Sequence, residues 1–111
     1  MPEEQAERVL GSIGRLRILR VMAENPRLEA SFSLYRLKAL TGIGDSNLKI
    51  HIATLMRYGL VEEVRLGHQR RYRLVRGEPL VEALIQVFRI FATRHPNRTP
   101  QTRFNESGAK K

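Results

Sequence analysis

Ser46, Asn47, Lys49, Ile50 and Ala53 are the kinds of side chain that read a duplex when a helix turns them to one side. Leu48, Ile52 and Leu55 interleave with them three and four residues apart. A helix capped by Asp45 or Ser46 and running to about Tyr58 therefore buries the leucine set and leaves the first set outward. Asn pairs with adenine through two hydrogen bonds, Lys reaches guanine or phosphate, and Ile meets a thymine methyl. A second group follows closely: Arg65, His68, Arg70, Arg71 and Arg73, with no acid from Arg65 to Arg76. On a hairpin, such a cluster can lie along phosphates or enter a minor groove. Solvated helices and hairpins carry polar residues too. The order of the two groups, one directly after the other, favours double-stranded DNA as the partner.

No other constellation carries chemistry. His51 lies one helical turn from Asn47 and Leu55 with no second ligand at metal spacing, so it reads as a packed structural histidine. His68 and His95 are isolated, and Asp45, Ser46 and His51 cannot form a triad on one short helix. Gly42 and Gly44 are not followed by the Gly-Lys-Ser/Thr of a phosphate loop. Cysteine is absent, which removes disulfides and thiolate metal sites and suits a reducing cytoplasm. The expectation is a protein with no catalytic residues, metal, cofactor or evident small-molecule ligand.

The elements that position the two groups follow from periodicity. Glu3 to Leu10 suits a helix, with Ala6, Val9 and Leu10 on one side. Ser12 caps a second helix to about Glu24, in which Ile13, Leu16, Leu19 and Met22 form the inner face, and Asn25-Pro26 ends it. Residues 26–31 form a loop, and Phe32 starts a very short strand or anchors the loop. Ser33 caps a helix from Leu34 to Leu40, with Leu34, Leu37 and Leu40 inward. Thr41 to Gly44 is the turn, with Gly42 available for positive φ and Ile43 as a plug between helices. After Gly59 the chain becomes extended. Leu60, Glu62, Val64 and Leu66 share one strand face, Tyr72 and Leu74 alternate on the return strand, and Gly67-His68-Gln69 is the tip.

Glu78-Pro79 opens a last helix. Its apolar residues Leu80, Val81, Leu84, Ile85, Val87, Phe88 and Phe91 spread over more than one core-facing stripe, which predicts a dimer surface at Val81, Leu84, Ile85, Phe88 and Phe91. Residues 1–94 are expected to form one domain with terminal dimerisation helices, and residues 95–111 a disordered basic tail.

The chain has 111 residues and a formal charge of +9, and 16 of its 20 cations are arginine. A polyanionic partner is the natural inference. The acidic, polar N-terminus is no secretion signal, and Leu80 to Ala92 is too short and too interrupted to span a bilayer. A cytoplasmic protein without a membrane partner is expected.

Two ungapped segments resemble the ArsR-like winged helix-turn-helix regulators of bacteria and archaea. Gly11-Ser-Ile-Gly-Arg-Leu-Arg-Ile-Leu-Arg-Val-Met22 is similar to the first core helix of that family. Thr41 to Leu74 is similar to its turn, recognition helix, Gly-Leu-Val junction and wing ending in Tyr-Arg-Leu. The resemblance implies a mainly α fold with a small β-hairpin wing. It also implies a homodimer on a pseudo-palindromic operator, with the terminal helices as dimer contact. Many members release DNA on binding metal through cysteines or histidines; this chain departs there. A sequence-specific regulator, with repression the favoured sign, is the resulting expectation. Two rivals stand beside it: a winged-helix protein-interaction module of a transcription or replication assembly, and a sequence-neutral chromatin protein.

Overall fold

In the computed structural model, which describes residues 3–28 and 30–94, the helices are α1 (Glu3–Leu10), α2 (Ile13–Glu24), α3 (Leu34–Thr41), α4 (Asp45–Arg57) and α5 (Pro79–Arg94), with β1 (Val61–Leu66) and β2 (Gln69–Leu74) between α4 and α5. This is the expected mainly α fold with a β-hairpin wing. The expected tail, residues 95–111, lies outside the described residues.

α2 is the hub. It packs on α1, α3, α4, α5 and β2. Ser12 caps it, its hydroxyl accepting from the Arg15 amide at 3.2 Å. Ile18, Leu19 and Met22 are its buried residues. Ile13, expected inward, is instead 74% exposed. It occupies the first position of α2, so no preceding turn of the helix covers it.

Phe32 does both things expected of it. It forms an antiparallel bridge with Tyr72 and is 1% exposed. Ser33 then caps α3, whose Leu37 is fully buried, while Leu40 proves 49% exposed. Gly42 takes φ +74° and turns the chain, and Ile43 packs partly buried against the core. The α4 cap differs from the expectation. Gly44, with no side-chain bond, holds the N-cap position, and Asp45 already lies in the first turn, paired with Lys38 at 3.4 Å.

The end of α4 is set locally. The Gly59 amide donates to Met56 O at 3.0 Å and the Leu60 amide to Leu55 O at 3.0 Å, with Gly59 at φ +77°. That is a Schellman stop, in which the apolar pair Leu55 and Leu60 closes the turn; both are 0% exposed. The strands then pair antiparallel from Val61↔Leu74 to Leu66↔Gln69. Directly opposed residues share a face, so Val61, Glu63 and Arg65 lie with Leu74, Tyr72 and Arg70. The inward face of β1 thus starts at Val61; Leu66 on the other face is 67% exposed. Gly67 and His68 alone form the tip, since Gln69 is already in β2.

Pro79 opens α5 as expected, and the Glu78 carboxylate caps it by accepting from the amides of Leu80 and Val81 at 2.9 and 3.2 Å. A second carboxylate secures this entry. Glu82 accepts from Arg76 Nε at 2.7 Å, Arg76 Nη2 at 3.0 Å and the Gly77 amide at 2.9 Å. The Arg76 hydrogen bond above all, then that of Gly77, brings the Glu82 carboxyl down to about 2.

Candidate nucleic-acid interface

α4 meets the first requirement of a reading helix: a firmly seated inner side. Leu48, Ile52 and Leu55 are at most 3% exposed, each burial contributing about 1.5–3 kcal/mol. Thr54 joins them, its hydroxyl donating to Ile50 O at 3.0 Å, a position missed in the apolar spacing because threonine satisfies itself on the helix. At the turn, Thr41 is held likewise: its hydroxyl donates to Leu37 O at 2.7 Å and accepts from the Ile43 amide at 3.2 Å. Arg17 of α2 donates to Thr41 O at 3.2 Å. The turn is therefore tied to α2 as well as to α3.

His51 completes the seat. A Cβ added to Gly14 would lie 2.6 Å from His51 Nε2, so the imidazole lies against the bare backbone of α2. Among the described residues its Nδ1 is buried without a hydrogen-bond partner, as is Nε of the neighbouring Arg15. Burial first, and then the Arg15 charge, lowers the His51 pKa from 6.5. The packed histidine expected from the sequence is thus a contact between α4 and α2, and a Cβ at position 14 would force the ring to shift.

On the outer side Ser46, Asn47, Lys49, Ile50 and Ala53 are all exposed. Among the described residues no hydrogen bond or ion pair engages the side chains of Ser46, Asn47 or Lys49. The five residues form one continuous outward face on the N-terminal and central turns of α4.

The wing is different. Arg65, His68 and Arg70 are exposed, whereas Arg71 and Arg73 are half-buried. Arg71 reaches back to the loop before α3, donating to Ser31 Oγ at 2.8 Å and Ser31 O at 2.7 Å, and to Gln69 Oε1 at 2.9 Å. Arg73 pairs with its cross-strand partner Glu62 at 2.7 Å. Arg65 and Arg70, opposed in register, both approach Glu63 Oε2, at 3.6 and 3.8 Å. The acids come from β1, upstream of the run that contains none. Sequence reasoning missed Ser31, Glu62 and Glu63; only the strand register and a loop 40 residues away bring them in. His68 at the tip has none of these tethers.

Between α4 and the wing lies a cleft of about 410 Å³, its walls including Lys49, Ile52 and Ala53 on one side and Glu63, Arg70 and Tyr72 on the other. The outward face of α4 and one face of the hairpin therefore border one concavity.

α5 divides the residues assigned to a dimer surface. Val81, Leu84 and Ile85 are 1%, 8% and 2% exposed, which corrects their assignment: they fill this chain's own core. Phe88 is half-buried against that core. Val87, Ile90 and Phe91 remain 41%, 56% and 51% exposed. Phe88 also lines a groove with Ile13 and Leu16 of α2. Ile90, three residues from Val87, lies on the same side.

Among the described residues no group of three His, Cys, Asp or Glu could hold a metal ion, and no helix is long and apolar enough to cross a membrane.

No protein-family model and no curated protein matches the chain. Solved structures do. The transcriptional repressor BigR from Xylella fastidiosa superposes with a TM-score of 0.63 at 24% identity, over 90% of this chain and 91% of that one. The homodimeric winged helix-turn-helix DNA-binding domain Mb0332 from Mycobacterium bovis, a possible ArsR-family transcriptional regulator, gives 0.62 at 21% identity, over 91% and 87%. HlyU from Vibrio cholerae gives 0.65 at 23% identity, over 82% and 91%. The chain has the winged helix-turn-helix fold of these structures. α3, the turn and α4 are its helix-turn-helix, and β1-β2 is its wing.

Proposed function

We propose that this protein is a sequence-specific, double-stranded DNA-binding transcription regulator, and not an enzyme. The observation that carries it is the face of α4: a rigidly seated helix presenting Ser46, Asn47, Lys49, Ile50 and Ala53 with their polar groups unengaged. In a winged helix that face enters the major groove, while His68 and the wing arginines Arg65, Arg70, Arg71 and Arg73 meet the backbone or minor groove. The charge of +9 and the likeness to proteins described as repressors support the reading. A protein-interaction module would favour an apolar outer face on α4 instead.

The protein acts as a homodimer and, by blocking a promoter, as a repressor. Val87, Ile90 and Phe91 leave an apolar strip on α5, extended by Phe88 and Ile13, and the Mycobacterium bovis neighbour is described as homodimeric. A two-fold dimer would hold two α4 helices about one DNA turn apart, so half-sites should be centred roughly 34–36 Å apart. Footprinting on duplexes selected from a random pool tests both points. A symmetric, reproducible motif is expected; binding without any preference would leave the chromatin protein as the reading. Light scattering at micromolar concentration should give a dimer for the native chain and a monomer for Phe91→Asp, with much weaker operator binding. A monomeric native chain would contradict the dimer.

A further inference from the structure

We propose that Glu63 is an intramolecular competitor for DNA phosphate, which holds down the affinity of the wing for duplex of any sequence. The inference rests on the DNA-binding reading and adds a residue that opposes binding. Arg65 and Arg70 stand directly across the hairpin from each other, an arrangement in which like charges repel. Glu63 shares their face, two residues before Arg65 on its own strand and diagonal to Arg70. Its Oε2 lies 3.6 Å from Arg65 Nε and 3.8 Å from Arg70 Nε. One carboxylate oxygen thus serves two guanidinium groups that are themselves 59% and 63% exposed, while its own side chain is 29% exposed.

The distances decide what kind of tether this is. Arg73 on Glu62, at 2.7 Å, is a close hydrogen bond. The two contacts of Glu63 are longer ion pairs, with neither at hydrogen-bond length, and exposed pairs of this kind are weak. Such a pair is readily exchanged for a phosphate oxygen. Glu63 also borders the cleft between α4 and the wing, on the same side as Arg70 and across from Lys49. A phosphate entering that cleft meets two cations, Lys49 and Arg70, with one anion already beside them. Each approach to DNA must therefore displace Arg65 and Arg70 from Glu63 and then tolerate its charge beside the phosphate. Neither cost depends on the base sequence.

The test is Glu63→Gln, nearly the same shape without the charge. Binding to a random-sequence 24-base-pair duplex is measured by fluorescence anisotropy across a salt series, beside the native chain, Glu4→Gln and the double variant Glu63→Gln/Arg70→Gln. The expected result is roughly tenfold tighter binding by Glu63→Gln, with the slope of log affinity against log salt steeper by about one, as one more phosphate is neutralised. Glu4→Gln adds the same formal charge on α1 and should change affinity by less than twofold. The double variant should lose the gain. Affinity within twofold of the native chain for a folded Glu63→Gln overturns the proposal, as does an equal gain in Glu4→Gln. Should Glu63→Gln fail to fold by circular dichroism, Glu63→Asp draws the carboxylate back from both arginines; a smaller gain supports the proposal and no gain overturns it. A native chain that binds no duplex at all overturns the DNA-binding reading itself, and the proposal with it.

Discussion

The outward face of α4 and the wing stand in opposite states. On α4, Ser46, Asn47 and Lys49 hold no partners among the described residues and project from a helix seated by Leu48, His51, Ile52 and Leu55. On the wing, every arginine from Arg65 to Arg73 already has a hydrogen-bond or ion-pair partner: Ser31, Glu62, Glu63 or Gln69. A side chain without protein partners exchanges only its water when a base edge arrives. An engaged one gains only the difference between its new acceptor and its old. On the proposed function, the helix is the part that discriminates between sequences, and the wing adds a smaller, sequence-independent increment from more formal charge.

The comparison fails first if α4 can be unseated. Gly14→Ala places a methyl group 2.6 Å from His51 Nε2, against a ring packed between helices. Overpacking of this kind costs about 1–3 kcal/mol. A fall in Tm of several degrees is expected in a thermal melt, together with weaker binding to preferred duplex; an unchanged Tm would mean that the ring moves aside freely.

Arg71→Ala comes next. It removes the bond that ties β2 to the loop before α3, where one guanidinium reaches both the hydroxyl and the carbonyl of Ser31. Hydrogen bonds to a charged group contribute about 1.5–3 kcal/mol when buried, and the partial exposure of Arg71 discounts this to about 1 kcal/mol. Stability should drop by that amount in urea titration, and affinity for specific and random duplexes should weaken by similar factors. Loss confined to one sequence would make Arg71 a reader.

Arg73→Ala should do less. Its partner Glu62 is 42% exposed, and exposed pairs contribute about 0–1 kcal/mol. Random-duplex affinity should change by less than about threefold, because the charge removed is already balanced within the strand pair.

The smallest effect concerns pH. Unfolded His51 titrates near 6.5, and the folded protein holds its pKa below that. Folding therefore favours the neutral ring, so stability present at neutral pH declines as pH falls from 6.5 through the lower folded value. His51→Gln should flatten the decline in Tm between pH 7 and 5 relative to the native chain. An identical profile would assign the decline to other groups.

What was legible in the sequence was local. The caps at Ser12 and Ser33, the Schellman stop at Gly59 and the burial of Leu48, Ile52 and Leu55 each depend on residues within a few positions. The outward face of α4 was legible for the same reason. The state of the wing was not. Whether Arg71 meets water or Ser31 is settled by a loop folded back from far upstream, and whether Arg65 and Arg70 are tethered depends on a register that places Glu63 diagonal to Arg70. α5 shows the same limit. Its spacing revealed more apolar surface than one stripe needs, but only packing on α2 separates the core residues Val81, Leu84 and Ile85 from the exposed Val87, Ile90 and Phe91. The missing side-chain cap on α4 is not legible in the sequence either, because Asp45 and Ser46 are both good cap residues and Gly44 reads as part of the turn.

The division of labour between helix and wing is tested most directly by selecting bound duplexes from one random pool with the native chain and with Asn47→Ala in parallel. The native chain should yield a two-fold symmetric motif. Asn47→Ala should yield the same motif with preference relaxed at one symmetric pair of positions, by about 1–3 kcal/mol per base pair, and with an unchanged melting curve. A motif that survives intact in Asn47→Ala, or a uniform loss of affinity with no position relaxed, would contradict the assignment of sequence choice to that face of α4.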